Sequence, residues 1–118
     1  MSALDKLARA AYLAASGGVP PAQVNRLIEV LETTKSVELT VTFLARQLRR
    51  GAWRDANSAR ILKDALLRIK DEAKGAEDEL RRARELLGVF KWLYEAYPRR
   101  RRREPPKTFR EYVDWCLA

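Results

Sequence analysis

From Leu62 to Tyr97 apolar residues return at every third and fourth position: Leu62, Leu66, Ile69, Ala73, Ala76, Leu80, Ala83, Leu87, Phe90, Tyr94 and Tyr97. This is the a/d spacing of a heptad seam, a helical period and not a strand period. Opposite the seam, Asp64/Arg68, Arg68/Glu72, Glu77/Arg81, Asp78/Arg82 and Lys91/Glu95 stand four apart, so unlike charges are neighbours on the solvent side. Each such pair stabilises a helix by about 0.2–0.5 kcal/mol. Acidic and basic residues balance to zero over this stretch, which therefore reads as scaffold. Unbroken, the helical residues from Ser58 onward would form a rod of about 60 Å, more seam than one small domain can cover. Gly75 falls at its middle, beside the small seam members Ala73 and Ala76. Two helices meeting near Lys74–Gly75 are expected. A continuous helix in an oligomer is the alternative, because one glycine costs only about 1 kcal/mol.

The remaining segments are shorter. Residues 4–15 place Leu4, Leu7, Ala8, Ala11, Tyr12 and Ala15 on one face, after Ser2 and Asp5 at capping-box spacing. Gly17–Gly18 end that helix, and Pro20–Pro21 start another with Val24, Leu27, Ile28 and Leu31 inward. Val37 to Phe43 alternates apolar and polar residues and, taken alone, reads as a strand. No second run of this kind exists to pair with it. A helix capped by Ser36 instead aligns Val37, Val41, Leu44, Ala45 and Leu48, so a helix is expected, with Leu39 and Phe43 on a flanking stripe that another subunit can cover. Pro98 stops the long stretch, and Arg99 to Arg103 follow as an unbroken run whose mutual repulsion favours an extended linker. Thr108 and Glu111 cap a last short helix whose apolar side, Phe109, Tyr112, Val113 and Cys116, docks on the bundle or on a partner. The expected fold is all-α: a compact bundle of five to six helices over residues 1–97, a basic arginine/proline linker over 98–107 and a C-terminal helix over 108–118.

Composition narrows the chemistry. At 118 residues the chain makes one domain, and 47% hydrophobic content excludes a disordered polymer. The longest apolar run is too short to span a bilayer, and Asp5, Lys6 and Arg9 interrupt any signal-peptide pattern, so a cytoplasmic protein with no membrane partner is expected. The single cysteine, Cys116, permits no internal disulfide and no cysteine-based zinc site, and is expected to be an apolar packing residue. The chain has no histidine, which removes imidazole bases, triads and histidine metal ligands together. Most acidic residues have a basic residue at helical spacing, the pattern of solvated ion pairs. A non-enzyme without a cofactor is the expectation.

The net charge of +8 is concentrated. Residues 46–54 carry Arg46, Arg49, Arg50 and Arg54 with no acid; residues 99–107 carry Arg99, Arg100, Arg101, Arg102, Arg103 and Lys107 against Glu104. The first cluster is worth +4 and the second +5, so the rest of the chain sums to −1. Two basic clusters on a neutral frame suit a polyanion, because neutralised phosphates release condensed counterions. Arginine outnumbers lysine seventeen to seven, which favours bidentate phosphate contacts. For the first cluster the rival is a solvated helix end whose arginines complement the helix dipole. Trp53, between Arg50 and Arg54, either stacks on an unpaired base, favouring RNA or single strands, or plugs the end of the bundle. Trp92, beside Phe90 and Leu93, is expected to pack, and Trp115 either buries or binds a partner.

Three patches resemble the small, all-helical subunit of type III CRISPR effector complexes, the Csm/Cmr small-subunit family. They are Pro20-Pro21-Ala22-Gln23-Val24-Asn25-Arg26-Leu27-Ile28, Phe43-Leu44-Ala45-Arg46-Gln47-Leu48-Arg49-Arg50-Gly51, and Leu86-Leu87-Gly88-Val89-Phe90-Lys91-Trp92-Leu93-Tyr94-Glu95-Ala96-Tyr97. The first two are similar to the Csm-type branch and the third also to the Cmr-type branch; together they cover residues 20–97. The resemblance implies a compact bundle of about five helices and a non-catalytic protein of antiviral defence. In that family several copies line a ribonucleoprotein and hold the target strand, and hence the guide duplex, through basic helical surfaces while other subunits cut. Carried onto this chain, the role falls on Arg46, Arg49 and Arg50, with Arg54 extrapolated from its neighbours. Two further functions stay open. One is a DNA-binding helix-turn-helix regulator over residues 21–50, weakened by the apolar Val37, Leu39, Val41 and Phe43 where base edges would be read. The other is a helical oligomerisation or adaptor protein using the heptad seam and the C-terminal helix.

Overall fold

The structure, a computed structural model, describes residues 1–100 and 102–118; Arg101 lies outside the described residues. The described residues form six helices and no strand: α1 (Ala3–Ser16), α2 (Pro21–Thr34), α3 (Val37–Arg49), α4 (Ala56–Glu72), α5 (Ala76–Glu95) and α6 (Phe109–Leu117). Local chemistry sets most boundaries. The Ser2 hydroxyl accepts from the Asp5 N–H at 3.1 Å while the Asp5 carboxylate accepts from the Ser2 N–H at 2.9 Å, completing the capping box of α1. Ser36 accepts from the Leu39 N–H at 3.0 Å, so Val37–Phe43 is the start of α3 and not a strand. Asp55 and Thr108 cap α4 and α6 in the same way. The long heptad stretch is two helices. Gly75 takes φ 124°, ψ 173°, a conformation that glycine alone enters cheaply, and the chain reverses there.

Helix α1 lies between α4 and α5. Its fully buried Ala8, Ala10, Ala11 and Ala14 allow close approach of both neighbours. Helices α2 and α3 form a hairpin that packs on α4 through α3 and on α5 through α2. Leu62, Leu66, Ala83, Leu87 and Phe90 of the seam are buried, joining Leu27, Leu31, Leu44 and Trp53 in one core. Helix α6 docks on the bundle. The Phe109 N–H donates to Asp5 Oδ1 at 2.7 Å, and the buried Tyr112 hydroxyl donates to the Leu93 carbonyl at 2.7 Å. Trp115 sits within 5.6–6.0 Å, ring to ring, of Tyr12, Tyr97 and Tyr112. The molecule is flat, 40 × 30 × 18 Å.

One geometric fact bears on function. Gln47 Nε2, near the end of α3, donates to Gln23 Oε1, near the start of α2, at 2.7 Å. Both residues lie about eleven positions from the α2–α3 turn, so the helices run antiparallel. In a helix-turn-helix, arms of this length crossing at about 90–120° would hold those residues on the order of 25 Å apart. The helix-turn-helix reading of residues 21–50 is thereby corrected to an antiparallel hairpin.

Candidate nucleic-acid interface

Three helices end and two begin at one end of the bundle. The Gly17 backbone at the end of α1 lies against Asp55, which caps α4: a Cβ on Gly17 would stand 3.0 Å from Asp55 Cβ. The Tyr94 hydroxyl, in the last turn of α5, donates to the Val19 carbonyl between α1 and α2. The Gln23–Gln47 bond brings the start of α2 and the end of α3 to the same place.

The connection from α3 to α4 explains why arginines project here. After Arg49 the chain folds back, with the Ala52 and Trp53 N–H groups both donating to the Gln47 carbonyl at 2.9 and 3.0 Å. This turn drives Trp53 inward until it is 1% exposed. Its indole lies over Phe90, centroids 6.3 Å apart at 27°, and Nε1–H donates to Ser58 Oγ at 3.0 Å. Trp53 is the plug of the bundle, so the reading that it stacks on a base is corrected: neither ring face reaches solvent. Burying it leaves Arg50 and Arg54 exposed on either side, beside the exposed Arg46 and Arg49 of α3. Arg54 Cδ approaches to 3.8 Å of the Cβ position at Gly18. One residue on, Tyr94 reaches Val19; burial raises the pKa of that phenol, while the nearby Arg99 charge opposes the rise. Arg54 thus lies beside Gly18, and Arg99 follows within four residues of the end of α5, so the first cluster and the start of the second share one end.

Among the described residues, Arg46, Arg49, Arg50, Arg54 and Arg99 are exposed and none forms an ion pair. The opposite end contrasts with this. There Lys70 meets Glu38 at 3.2 Å and Glu79 at 3.6 Å, Arg82 meets Asp78 at 3.1 Å, and Arg84 grips Glu32 with two bonds of 2.6 and 2.8 Å. The carboxylates of that region, Glu32 and Asp78, are held below their ordinary pKa, Glu32 by the Arg84 guanidinium and Asp78 by the Lys74 N–H. Asp5 is lowered by the Phe109 and Ser2 N–H groups. All three shifts stabilise the ionised form, the signature of caps and ion pairs and the reverse of a carboxylic acid tuned to donate a proton. Among the described residues no three His, Cys, Asp or Glu side chains converge as a metal site, and no helix is long and apolar enough to cross a membrane.

The arginine run divides. The Arg100 guanidinium lies 5.6 Å from the Trp115 ring centroid and donates to the Trp115 and Ala118 carbonyls at the end of α6. Arg102 lies 5.6 Å from the same ring, pairs with Glu111 and donates to the Glu104 carbonyl at 2.8 Å. The expectation that the run is an extended linker facing a phosphate chain is corrected for these two, which hold α6 in place. Arg103 and Lys107 are exposed, but the segment leads toward Phe109 and Asp5, away from the end that carries Arg46–Arg54.

The expected packing of Trp92 is corrected as well: it is 73% exposed. Phe90 and Leu93, three residues apart, define the buried face of α5, and Trp92 falls opposite. The signal was available, since the heptad seam passes through Phe90 and Tyr94 and skips Trp92. The fold and this surface define a class: a six-helix, all-α bundle with exposed arginines gathered at one end. The chain matches no protein-family model, no curated protein and no solved structure.

Proposed function

We propose that this chain is a non-catalytic, nucleic-acid-binding subunit that grips the phosphate backbone of RNA or another single strand, in the manner of the type III CRISPR small subunits whose patches it resembles. The observation that carries the reading is the cluster of five exposed arginines in no ion pair, Arg46, Arg49, Arg50, Arg54 and Arg99, at one end of a bundle whose opposite end holds the cross-helix pairs of Lys70 with Glu38 and Glu79 and of Arg84 with Glu32. Unpaired guanidiniums keep their donors free for phosphate oxygens, and their mutual repulsion is relieved when a polyanion binds. Binding of this kind has little sequence preference. The partners are then the strand itself and the other subunits of a ribonucleoprotein in the cytoplasm.

The test is binding of a labelled single-stranded RNA by the purified full chain. Arg49→Ala combined with Arg50→Ala weakens binding to every sequence alike; undiminished binding removes this surface from the reading. A helical adaptor is the second reading, favoured by Leu39, which stands 52% exposed on the outer face of α3. Light scattering on protein freed of nucleic acid separates the two, because an adaptor of this kind self-associates through Leu39 and loses the association on Leu39→Lys.

A further inference from the structure

Among the described residues Trp92 is the one aromatic side chain left exposed; the other nine are buried or half-buried. It opens the last turn of α5, where its carbonyl accepts from the Ala96 N–H at 3.0 Å, so it lies at the arginine end of the bundle. On the helix surface its neighbours are Gly88 and Val89 one turn before it and Glu95 and Ala96 one turn after. A helical side chain leans toward the N-terminus of its helix, which carries the indole toward Gly88. A Cβ on Gly88 would meet nothing within 4 Å, so the surface beside the ring is open and no neighbour within the fold requires a glycine there.

We infer that Trp92 is the stacking platform for an unpaired base of the strand whose phosphates the arginine end holds, an inference that rests on the function proposed above. Single-strand sites pair a basic track with an aromatic face, since every base offers a π-surface whatever its sequence. Trp53 is closed to this role by burial, and Trp115 by its tyrosine neighbours and the two guanidiniums above it. A protein partner fits the surroundings less well. Protein hot spots sit at the centre of well-packed apolar contacts, whereas Trp92 stands between the charged Lys91 and Glu95 with no exposed large apolar residue within a turn.

The experiment follows a fluorescein-labelled 20-nucleotide oligouridine by anisotropy against the full chain across a salt series, with Trp92→Ala, Trp92→Phe, Gly88→Leu and the Arg49→Ala/Arg50→Ala pair. Trp92→Ala weakens binding by ~5- to 150-fold, the loss of one stacked base. The slope of log K against log salt is unchanged, because no phosphate contact is removed. Trp92→Phe retains most of the affinity and loses the part of the indole quenching on binding that the parent protein owes to its exposed Trp92. Gly88→Leu, whose Cβ has open space, crowds the face of the ring and weakens binding as Trp92→Ala does. If Trp92→Ala binds like the parent while the arginine pair weakens binding, the platform is overturned and the proposed function stands. If the parent does not bind the oligonucleotide, both fall. If Trp92→Ala leaves RNA binding intact and alters the mass in light scattering, the ring is a protein contact and the inference is wrong.

Discussion

At the scale of single residues, two positions with the same apparent chemistry have opposite duties. Trp53 and Trp92 both sit among charged residues in the chain, yet Trp53 is 1% exposed and Trp92 is 73% exposed. Trp53→Ala leaves a large cavity against Phe90 and costs about 3–5 kcal/mol, read as a lowered urea midpoint. Any loss of nucleic-acid binding in that variant should accompany loss of helical circular dichroism, whereas Trp92→Ala should leave the spectrum and midpoint in place. The glycines divide likewise. A Cβ on Gly17 would lie 2.7 Å from the Leu13 carbonyl oxygen and 3.0 Å from Asp55 Cβ, while one on Gly88 meets nothing. Gly88→Ala therefore raises stability by about 0.5–1 kcal/mol through helix propensity. Gly17→Ala lowers it by about 1–3 kcal/mol, because α1 and α4 must move apart. Paired denaturation curves check both signs in one experiment.

At the scale of elements, the helices are held by local caps and by ion pairs remote from the arginine end, and pH separates these contributions. Asp5, Glu32 and Asp78 all titrate below their ordinary values of 3.8, 4.5 and 3.8. A carboxyl depressed on folding adds stability that is fully present above its unfolded pKa and is lost as pH falls through the folded one. The denaturation midpoint should therefore hold from neutral pH down to about 5 and fall below about 4. Asp78→Asn should flatten that fall, since it removes the charge that receives the Lys74 N–H, Arg81 and Arg82. An unchanged acid profile in this variant would place the sensitivity elsewhere. These elements were legible in the sequence because their causes are local: Ser2 with Asp5, Ser36, Thr108 and Gly75 each act within four residues. Some intended pairs also formed, Arg68 with Glu72 at 3.0 Å and Arg82 with Asp78 at 3.1 Å, but Arg81 turned to Asp78 and Glu85 instead of Glu77. What the pattern did not reveal depends on contacts across the chain. Arg100 and Arg102 read as free charge until α6 returns to place Trp115 beneath them, and Glu32 of α2 meets Arg84 of α5 only after two helices intervene.

At the scale of the whole molecule, the chain is polarised: cross-helix ion pairs gather toward the end that holds the α2–α3 and α4–α5 turns, and exposed arginines in no ion pair gather at the other. Sequence spacing located the Arg46–Arg54 cluster but gave no means of knowing that the end of α5 brings Arg99 to the same end of the bundle, or that Arg100 and Arg102 leave it. The division can be counted. On a single strand, each phosphate neutralised changes the slope of log K against log salt by about −0.7. Five arginines acting together give a slope of about −3.5, and the Arg49→Ala/Arg50→Ala pair brings it to about −2. Were the whole run from Arg99 to Lys107 also engaged, the parent slope would steepen by several further steps of that size. Lys70→Ala and Arg84→Ala, at the ion-paired end, serve as the control. They remove positive charge of the same sign from a region where it already faces Glu38, Glu79 and Glu32, so they lower stability and leave the slope unchanged. A slope that responds equally to both ends would mean that net charge alone attracts the strand, and the polarised surface would then have no part in holding it.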